Sequence, residues 1–270
     1  MTELTRTAQG LAAVEAMFAR AKQQNRAAFL PFFTIGFPKY ETSLEVLTEM
    51  SKLDVDGFEI GMPFSDPLAD GPVIQEASQI ALNNGINVRK CLQAVRELRA
   101  RGVHQPMMMF SYLNPLLAYG IEAYIRDAKE AGADGFIIPD LPPEEGGTFA
   151  EICARENMAM VYFVAPTSSP ERIAIAAQHA TGFIYVLAVT GITGVRAELA
   201  PDLRAFIQRV RNVTDKPLVL GFGISTPDHA RRMNGLMDGF IVASALMRLG
   251  KQGTEAVINL ARSLRQALDG

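Results

Sequence analysis

The chain has 270 residues, 49% of them apolar, which is enough to bury the core of one barrel-sized domain. Its formal net charge of -3 presents no basic excess, so nucleic acid is not expected as a partner. No apolar run approaches the roughly 18 residues of a membrane span, and the first residues lack the pattern of a signal peptide. We therefore expect a cytoplasmic protein with no membrane partner.

Eight short apolar runs have the composition of strands buried on both faces. They cover residues 29–35, 57–61, 107–110, 135–138, 160–164, 182–187, 217–220 and 239–242. Stretches with helical spacing alternate with them, among them residues 41–52, 121–131, 200–213 and 254–268. Repeated alternation predicts parallel pairing. An open doubly wound sheet would carry GxGxxG after its first strand. That motif is absent, which favours an α/β fold of the (β/α)8 TIM barrel type, with residues 1–270 as a single domain.

Two segments contain more helix than a simple alternation of strands and helices requires. Residues 8–24 predict an additional helix before the first strand, and residues 73–101 hold two helices, broken near residues 83–85. Extra helices of this kind are expected to plug the barrel floor or pad its wall. The segment that begins at Ser244 predicts a further short helix after the last strand.

The end of the second strand gives the sharpest chemical signal, because barrel enzymes place their chemistry after the carboxyl ends of strands. Glu59 lies inside an apolar strand, where alternation turns it into the barrel. Burial raises the pKa of such a carboxyl group and suits it to acid–base work. The alternative is a structural carboxylate hydrogen-bonded across the barrel. Asp66 and Asp70 follow in a loop rich in proline and glycine, where each is either a turn former or a catalyst. Asp70 is close enough in sequence to fold back over the mouth of this strand and form a carboxylate pair with Glu59.

Small residues after three other strands predict an anion site. They occupy residues 189–194, 221–225 and 242–246, where backbone N–H groups can approach a phosphate. The alternative is glycine used for turn geometry alone. The three histidines, at positions 104, 179 and 229, lack ligand spacing, so no metal site is expected. Cys91 and Cys153 are expected to be reduced, partly buried thiols. Polar groups at residues 111–115 and 140–142 serve either the substrate or the turns that follow strands 3 and 4.

Several of these segments are similar, in order and over essentially the whole chain, to the tryptophan synthase alpha chain family. The most specific is residues 58–75, FEIGMPFSDPLADGPVIQ. The others are residues 30–36, 111–115, 139–142, 189–194 and 221–225.

The resemblance implies retro-aldol cleavage of indole-3-glycerol phosphate to indole and glyceraldehyde 3-phosphate. Glu59 matches the family's acid–base glutamate, and Asp70 the aspartate that interacts with the indole N–H group. Thr193 matches a mobile-loop threonine that orders over Asp70. The positions around the indole pocket are Phe32, Tyr112, Tyr185 and Phe222.

The phosphate would rest on backbone N–H groups of Gly194, Gly223, Ala243 and Ser244. The family usually has glycine where this chain has Ala243, and alanine disfavours a positive φ. The substitution is therefore harmless only if the backbone there has ordinary dihedral angles. No cofactor is implied in this chain. The resemblance implies a pyridoxal-phosphate-dependent beta chain as partner, in an α2β2 assembly.

Three other functions are compatible with parts of this pattern. A stand-alone indole-3-glycerol phosphate lyase would share every catalytic residue and release free indole. A sugar-phosphate isomerase or epimerase would use the same phosphate site, although its metal-dependent forms need converging ligands that are not evident. A catalytically silent barrel that only activates a partner is disfavoured by the intact Glu59 and Asp70.

Overall fold

A computed structural model describes residues 8–187, 201–221 and 223–269. Within them, eight parallel strands form a closed barrel in which each strand pairs with the next and β8 pairs with β1. The strands are β1 (Ala28–Thr34), β2 (Phe58–Gly61), β3 (Met107–Phe110), β4 (Gly135–Ile137), β5 (Ala159–Val164), β6 (Ile184–Val186), β7 (Leu218–Leu220) and β8 (Gly239–Val242). The predicted barrel is confirmed. Some predicted strand ends run too far because residues such as Ile35 and Ile138 are fully buried yet lie beyond the last strand pair.

Helices cover the outside of this barrel. They are α1 (Leu11–Gln23), α2 (Tyr40–Ser51), α3 (Pro72–Asn83), α4 (Val88–Ala100), α5 (Leu113–Tyr119), α6 (Ile121–Ala131), α7 (Gly147–Arg155), α8 (Pro170–His179), α9 (Pro201–Arg211), α10 (Pro227–Arg231), α11 (Ser244–Gly250) and α12 (Thr254–Gln266). The extra helix before β1 and the pair after β2 are as predicted. Helix α5 was not predicted, because Asn114-Pro115 has the composition of a turn. Pro115 is tolerated there because the first turn of a helix has no intrahelical acceptor for its N–H groups. None of the described helices is long and apolar enough to cross a membrane.

The N-terminal helix α1 covers the floor of the barrel. The Gly10 N–H group donates to Asp134 at 2.8 Å, just before β4. The Leu11 N–H group donates to the Asn157 carbonyl at 2.8 Å, just before β5. The ring of Phe18 lies edge-on to Phe183, 5.8 Å away and directly before β6. The helix therefore closes the end of the barrel opposite the predicted site.

A repeated contact fixes the strands at this floor. Asp56, Asp134, Thr181 and Asp238 directly precede the even-numbered strands or lie close before them. The side chain of each accepts a hydrogen bond from the backbone N–H group of a residue at the start of the preceding odd-numbered strand. The backbone N–H group of each donates in turn to the carbonyl group of that strand residue. The four strand residues are Phe29, Met107, Met160 and Leu218, and the side-chain bonds measure 2.8, 3.0, 2.8 and 2.7 Å. These contacts set the register from which the strands run to the catalytic end.

Three of these four residues are aspartates that also bind arginine. The most buried of these ion pairs joins Asp56, whose side chain is 0% exposed, to Nη1 of Arg26, which is 1% exposed and lies 2.5 Å away. Asp134 contacts Arg99 at 2.7 Å, and Asp238 contacts Arg211. Each carboxylate thus has both a backbone and a cationic partner, which offsets the cost of removing its charge from water.

Candidate active site

A cavity of about 390 Å³ opens at the carboxyl ends of the strands, opposite α1. Strands β1, β2, β3, β5, β6 and β8 contribute side chains to it, and so do the loops after β2, β4 and β7. Glu59 and Asp70 lie in its wall, together with Phe32, Phe110, Phe163, Tyr185, Gly223, Ala243, Ser244 and Arg248. The position agrees with the general rule that barrel enzymes bind their substrates at this end.

Glu59 projects into the bottom of this cavity from β2. Its Cα is in register with Phe32 on β1 and with Met108 on β3, and the residue is only 1% exposed. Its Oε2 atom is buried and has no hydrogen-bond partner among the described residues. Burial, and secondly the charge of Asp70, raise the pKa of the Glu59 carboxyl group well above its usual range. The structural alternative, a carboxylate bonded across the barrel, would use that oxygen. That oxygen has no such partner, and Glu59 is one of the residues that line the cavity.

Asp70 is carried by the loop that follows β2 and is held there by Tyr112. The Tyr112 hydroxyl group donates to Oδ2 of Asp70 at 3.0 Å and accepts from the Ala69 N–H group at 3.0 Å. The Asp70 carbonyl accepts from the Gln75 side chain at 2.9 Å, which ties the loop to α3. Burial raises the pKa of Asp70 to about 6, and the Tyr112 hydrogen bond opposes that rise. The pKa values of both carboxyl groups are therefore raised above their ordinary range, and the charge of Asp70 contributes to the rise at Glu59.

Aromatic rings form the side walls of the cavity. Phe32 and Phe110 meet edge to face at 5.7 Å, and Phe163 and Tyr185 lie with ring centres 4.5 Å apart at 33°. Tyr185 depends on Gly221, because a Cβ atom at that position would lie 1.7 Å from the tyrosine ring. The arrangement suits a flat, apolar ring between aromatic surfaces.

Small residues form the cavity wall on the β7 and β8 side. Gly223 has a φ of 82°, a conformation that favours glycine. Ala243 has φ -113° and ψ -77°, so it does not adopt the positive φ that alanine disfavours. Ser244 follows as the first residue of α11 and also lines the cavity.

The predicted site residues fall into three groups. Glu59, Asp70, Phe32, Tyr185, Gly223, Ala243 and Ser244 line the one cavity. Tyr112 is not part of the lining and lies behind Asp70 as its hydrogen-bond partner. Thr193, Gly194 and Phe222 lie outside the described residues. Asp66 and Asp140 were each predicted to serve either the site or a turn. Neither lines the cavity, and Asp140 accepts from the Leu113 N–H group at 2.9 Å at the start of α5.

Sequence reasoning missed Phe110, Phe163 and Arg248. Phe110 is the last residue of β3 whereas Phe163 is next to last in β5, so counting alternate residues back from the strand ends would not have found both. Arg248 is one helical turn after Ser244, and that spacing was an available signal. Among the described residues, no three His, Cys, Asp or Glu side chains lie close enough to hold a metal ion. Cys91 and Cys153 are free and buried.

Fold and cavity together define a (β/α)8 barrel of the enzyme type, with two carboxyl groups in a cavity at the carboxyl ends of the strands. Comparison with known proteins makes this specific, since the tryptophan synthase alpha chain family profile matches residues 18–268. The tryptophan synthase alpha chain of Chloroflexus aggregans is 46% identical over 85% of this chain and 86% of its own length. A tryptophan synthase structure from Mycobacterium tuberculosis superimposes with a TM-score of 0.89 at 32% identity, covering 95% of this chain and 98% of that one.

A third relative differs in length. The Saccharomyces cerevisiae tryptophan synthase is 41% identical over 86% of this chain, which corresponds to only 33% of the yeast protein. The chain belongs to the tryptophan synthase alpha chain family. The predicted family is thus confirmed, and with it the activity, an aldolase-type cleavage of indole-3-glycerol phosphate in tryptophan biosynthesis.

Proposed function

We propose that Glu59 and Asp70 divide the chemistry of this cleavage between them. The observation that carries the proposal is the buried Glu59 carboxyl group, which lines the cavity and keeps one oxygen without a hydrogen-bond partner among the described residues. Its raised pKa favours the protonated form, so the group can donate a proton and then, once ionised, act as a base. A group with both capacities is what a retro-aldol cleavage needs.

The proposed steps balance in protons and electrons. Glu59 gives a proton to the indole ring carbon that bears the glycerol chain, and positive charge develops on the ring nitrogen. Asp70 accepts a hydrogen bond from that ring N–H group and stabilises the charge. Glu59 then removes the proton of the adjacent glycerol hydroxyl group. The carbon–carbon bond breaks, its electron pair returns to the ring, and indole and glyceraldehyde 3-phosphate are released.

The cavity walls suit a substrate whose indole ring lies on the aromatic side and whose phosphate lies on the β7 and β8 side. The indole ring would lie between the aromatic side chains Phe32 and Tyr185, with the phosphate at the backbone of Gly223, Ala243 and Ser244. Phe222 and Gly194 are proposed to complete those two subsites, and Thr193 to close over Asp70. Tyr112 would act on the ring through Asp70 and not by direct contact, because its hydroxyl group is committed to that carboxylate.

The test is the lyase activity of the purified protein and of its Glu59→Gln variant. Glutamine keeps the shape of the side chain but transfers no proton, so we expect kcat to fall on the order of 10²–10⁴-fold while the protein remains folded. Glu151→Gln, on the exposed surface of α7, is the matched control and should leave turnover unchanged. Near-normal turnover by a folded Glu59→Gln protein would remove Glu59 from the mechanism.

We further propose that a beta chain is the partner, in an α2β2 assembly that holds pyridoxal phosphate in the beta chain and none in this one. Two observations support a partner at the barrel mouth. Leu68, two residues before Asp70, is 93% exposed although large and apolar. The matching segment in yeast is about a third of a longer tryptophan synthase. We also propose a cytoplasmic location, since the reaction supplies amino-acid synthesis.

Lyase assays with and without an added beta chain distinguish the partner from the stand-alone alternative. A subunit of an assembly should be slow alone and gain activity when the beta chain is added. Leu68→Asp should reduce that gain without changing the basal rate, because it places a charge on the exposed contact. Full activity of the isolated chain, unchanged by a beta chain, would favour a stand-alone lyase that releases free indole.

A further inference from the structure

Arg248 lies in the cavity wall and has no role in the chemistry proposed for Glu59 and Asp70. Within the described residues, Arg248 is the only lysine or arginine that lines the cavity, whose other charged residues are Glu59 and Asp70. It makes no hydrogen bond or ion pair with any described residue. Lys251, three positions further on, is by contrast paired with Glu76 of α3 at 2.5 Å. The basic residue just after α11 is therefore paired with α3, whereas Arg248 within α11 lines the cavity.

The position of Arg248 relative to Ser244 is set by helix geometry. The two residues are one turn apart on α11, so their side chains lie on the same face. Side chains on a helix also tilt toward its N-terminal end, which directs the Arg248 guanidinium group back toward Ser244. Ser244 and Arg248 both line the cavity, which agrees with this direction.

We infer that Arg248 binds the phosphate group of the substrate and selects for phosphorylated over unphosphorylated indole-glycerol compounds. This inference rests on the proposed function, which places the phosphate beside Ser244. A phosphate monoester carries a charge of about -1.5 to -2 near neutral pH. Backbone N–H groups alone would have to hold that charge in a cavity that already contains two carboxyl groups. A guanidinium group supplies the opposite charge and a planar set of donors that matches phosphate oxygens.

Arg248 is exposed, so its contribution is screened by solvent and salt. We expect Arg248→Gln to raise KM for indole-3-glycerol phosphate about tenfold, within the range of a charge-assisted hydrogen bond. The change in kcat should be small, because the phosphate does not take part in bond cleavage. Arg248→Lys should recover much of the loss because it restores the charge. Arg262→Gln, which removes one positive charge from the exposed surface of α12, is the control for net charge.

Calorimetric titration with inorganic phosphate separates this inference from the function itself. Wild type and Arg262→Gln should bind phosphate with a Kd that rises as salt is added, while Arg248→Gln should bind about tenfold more weakly with a smaller salt dependence. If wild type cleaves the substrate and Arg248→Gln binds phosphate as well as wild type, or if wild type binds no phosphate, the role of Arg248 is refuted. If phosphate binding depends on Arg248 but no lyase activity is found with a beta chain present, the proposed function fails and the anion site stands.

Discussion

Replacing Tyr112 by phenylalanine removes the hydroxyl group that donates to Asp70 at 3.0 Å. Burial raises the pKa of Asp70 to about 6 and the Tyr112 hydrogen bond opposes that rise, so the variant should have a still higher pKa. A hydrogen bond to a charged group contributes roughly 1.5–3 kcal/mol, and one pKa unit corresponds to about 1.4 kcal/mol. Water that enters beside the partly exposed carboxylate will compensate in part, and we therefore expect an upward shift of about one unit.

The sign of the effect on activity follows from the proposed role of Asp70. Only the ionised carboxylate stabilises positive charge on the indole ring, so kcat/KM of the wild type should fall as the pH drops through about 6. In Tyr112→Phe the same fall should begin about one pH unit higher, with activity close to wild type at alkaline pH. Tyr112→Phe also removes the acceptor of the Ala69 N–H group. That loss affects the loop at every pH, so it cannot by itself shift the pH at which kcat/KM falls.

The assay is the pH profile of kcat/KM, combined with carboxyl ¹³C NMR of labelled aspartate, in which Asp70→Asn identifies the Asp70 signal. Tyr119→Phe is the matched control, because the Tyr119 hydroxyl group donates to Asp127 at 2.7 Å and neither residue lines the cavity. An acid limb and an Asp70 titration that are unchanged in Tyr112→Phe would refute the reasoning, even if the variant were slower overall.

Three further predictions concern other parts of the barrel. Gly221→Ala should push the Tyr185 ring into the cavity, since the new Cβ atom would lie 1.7 Å from it, and lower kcat/KM by about tenfold or more in steady-state assays. Glu59→Gln should raise the unfolding midpoint relative to wild type at pH 8 but not at pH 4. The raised pKa means that the stability from the neutral carboxyl group is complete at low pH and is lost as the pH rises through the folded-state pKa. Asp56→Ala should cost about 3–5 kcal/mol in urea unfolding because it strands the buried charge of Arg26. A loss below about 1 kcal/mol would show that the ion pair is not coupled to folding.

Local patterns in the sequence predicted the barrel and the position of Glu59. Each strand is short, apolar and buried, and alternation along β2 leaves a single direction for Glu59, which is into the barrel. The conformation of Ala243 could not be read in this way, because φ depends on how the chain leaves β8 and enters α11. The pairing of Tyr112 with Asp70 joins residues 42 positions apart in two loops. Loop conformations of that kind are set by tertiary packing and have no periodic signal.

Local patterns in the sequence also did not predict which aromatic residues line the cavity. Phe110 and Phe163 are as apolar as their neighbours, so composition alone assigns them to the core. Only the register of β3 and β5, together with the point at which each strand ends, places their rings in the cavity wall. Tyr112, which was expected around the indole pocket, donates a hydrogen bond to Asp70, and its aromatic character gave no sign of this contact.

The two ends of the barrel differ in how fully their buried polar groups are satisfied. At the floor, Asp56 accepts from backbone and arginine together, so its buried charge is compensated. At the mouth, Glu59 keeps an unpartnered oxygen, and burial disfavours its charged form and that of Asp70. Neutral isosteres should therefore have opposite effects at the two ends. They should lower stability at Asp56, and raise it at Glu59 while abolishing turnover. The unsatisfied carboxyl group at the mouth destabilises the fold, but it stays available to the substrate. The compensated contacts at the floor supply the stability that lets the fold tolerate this cost.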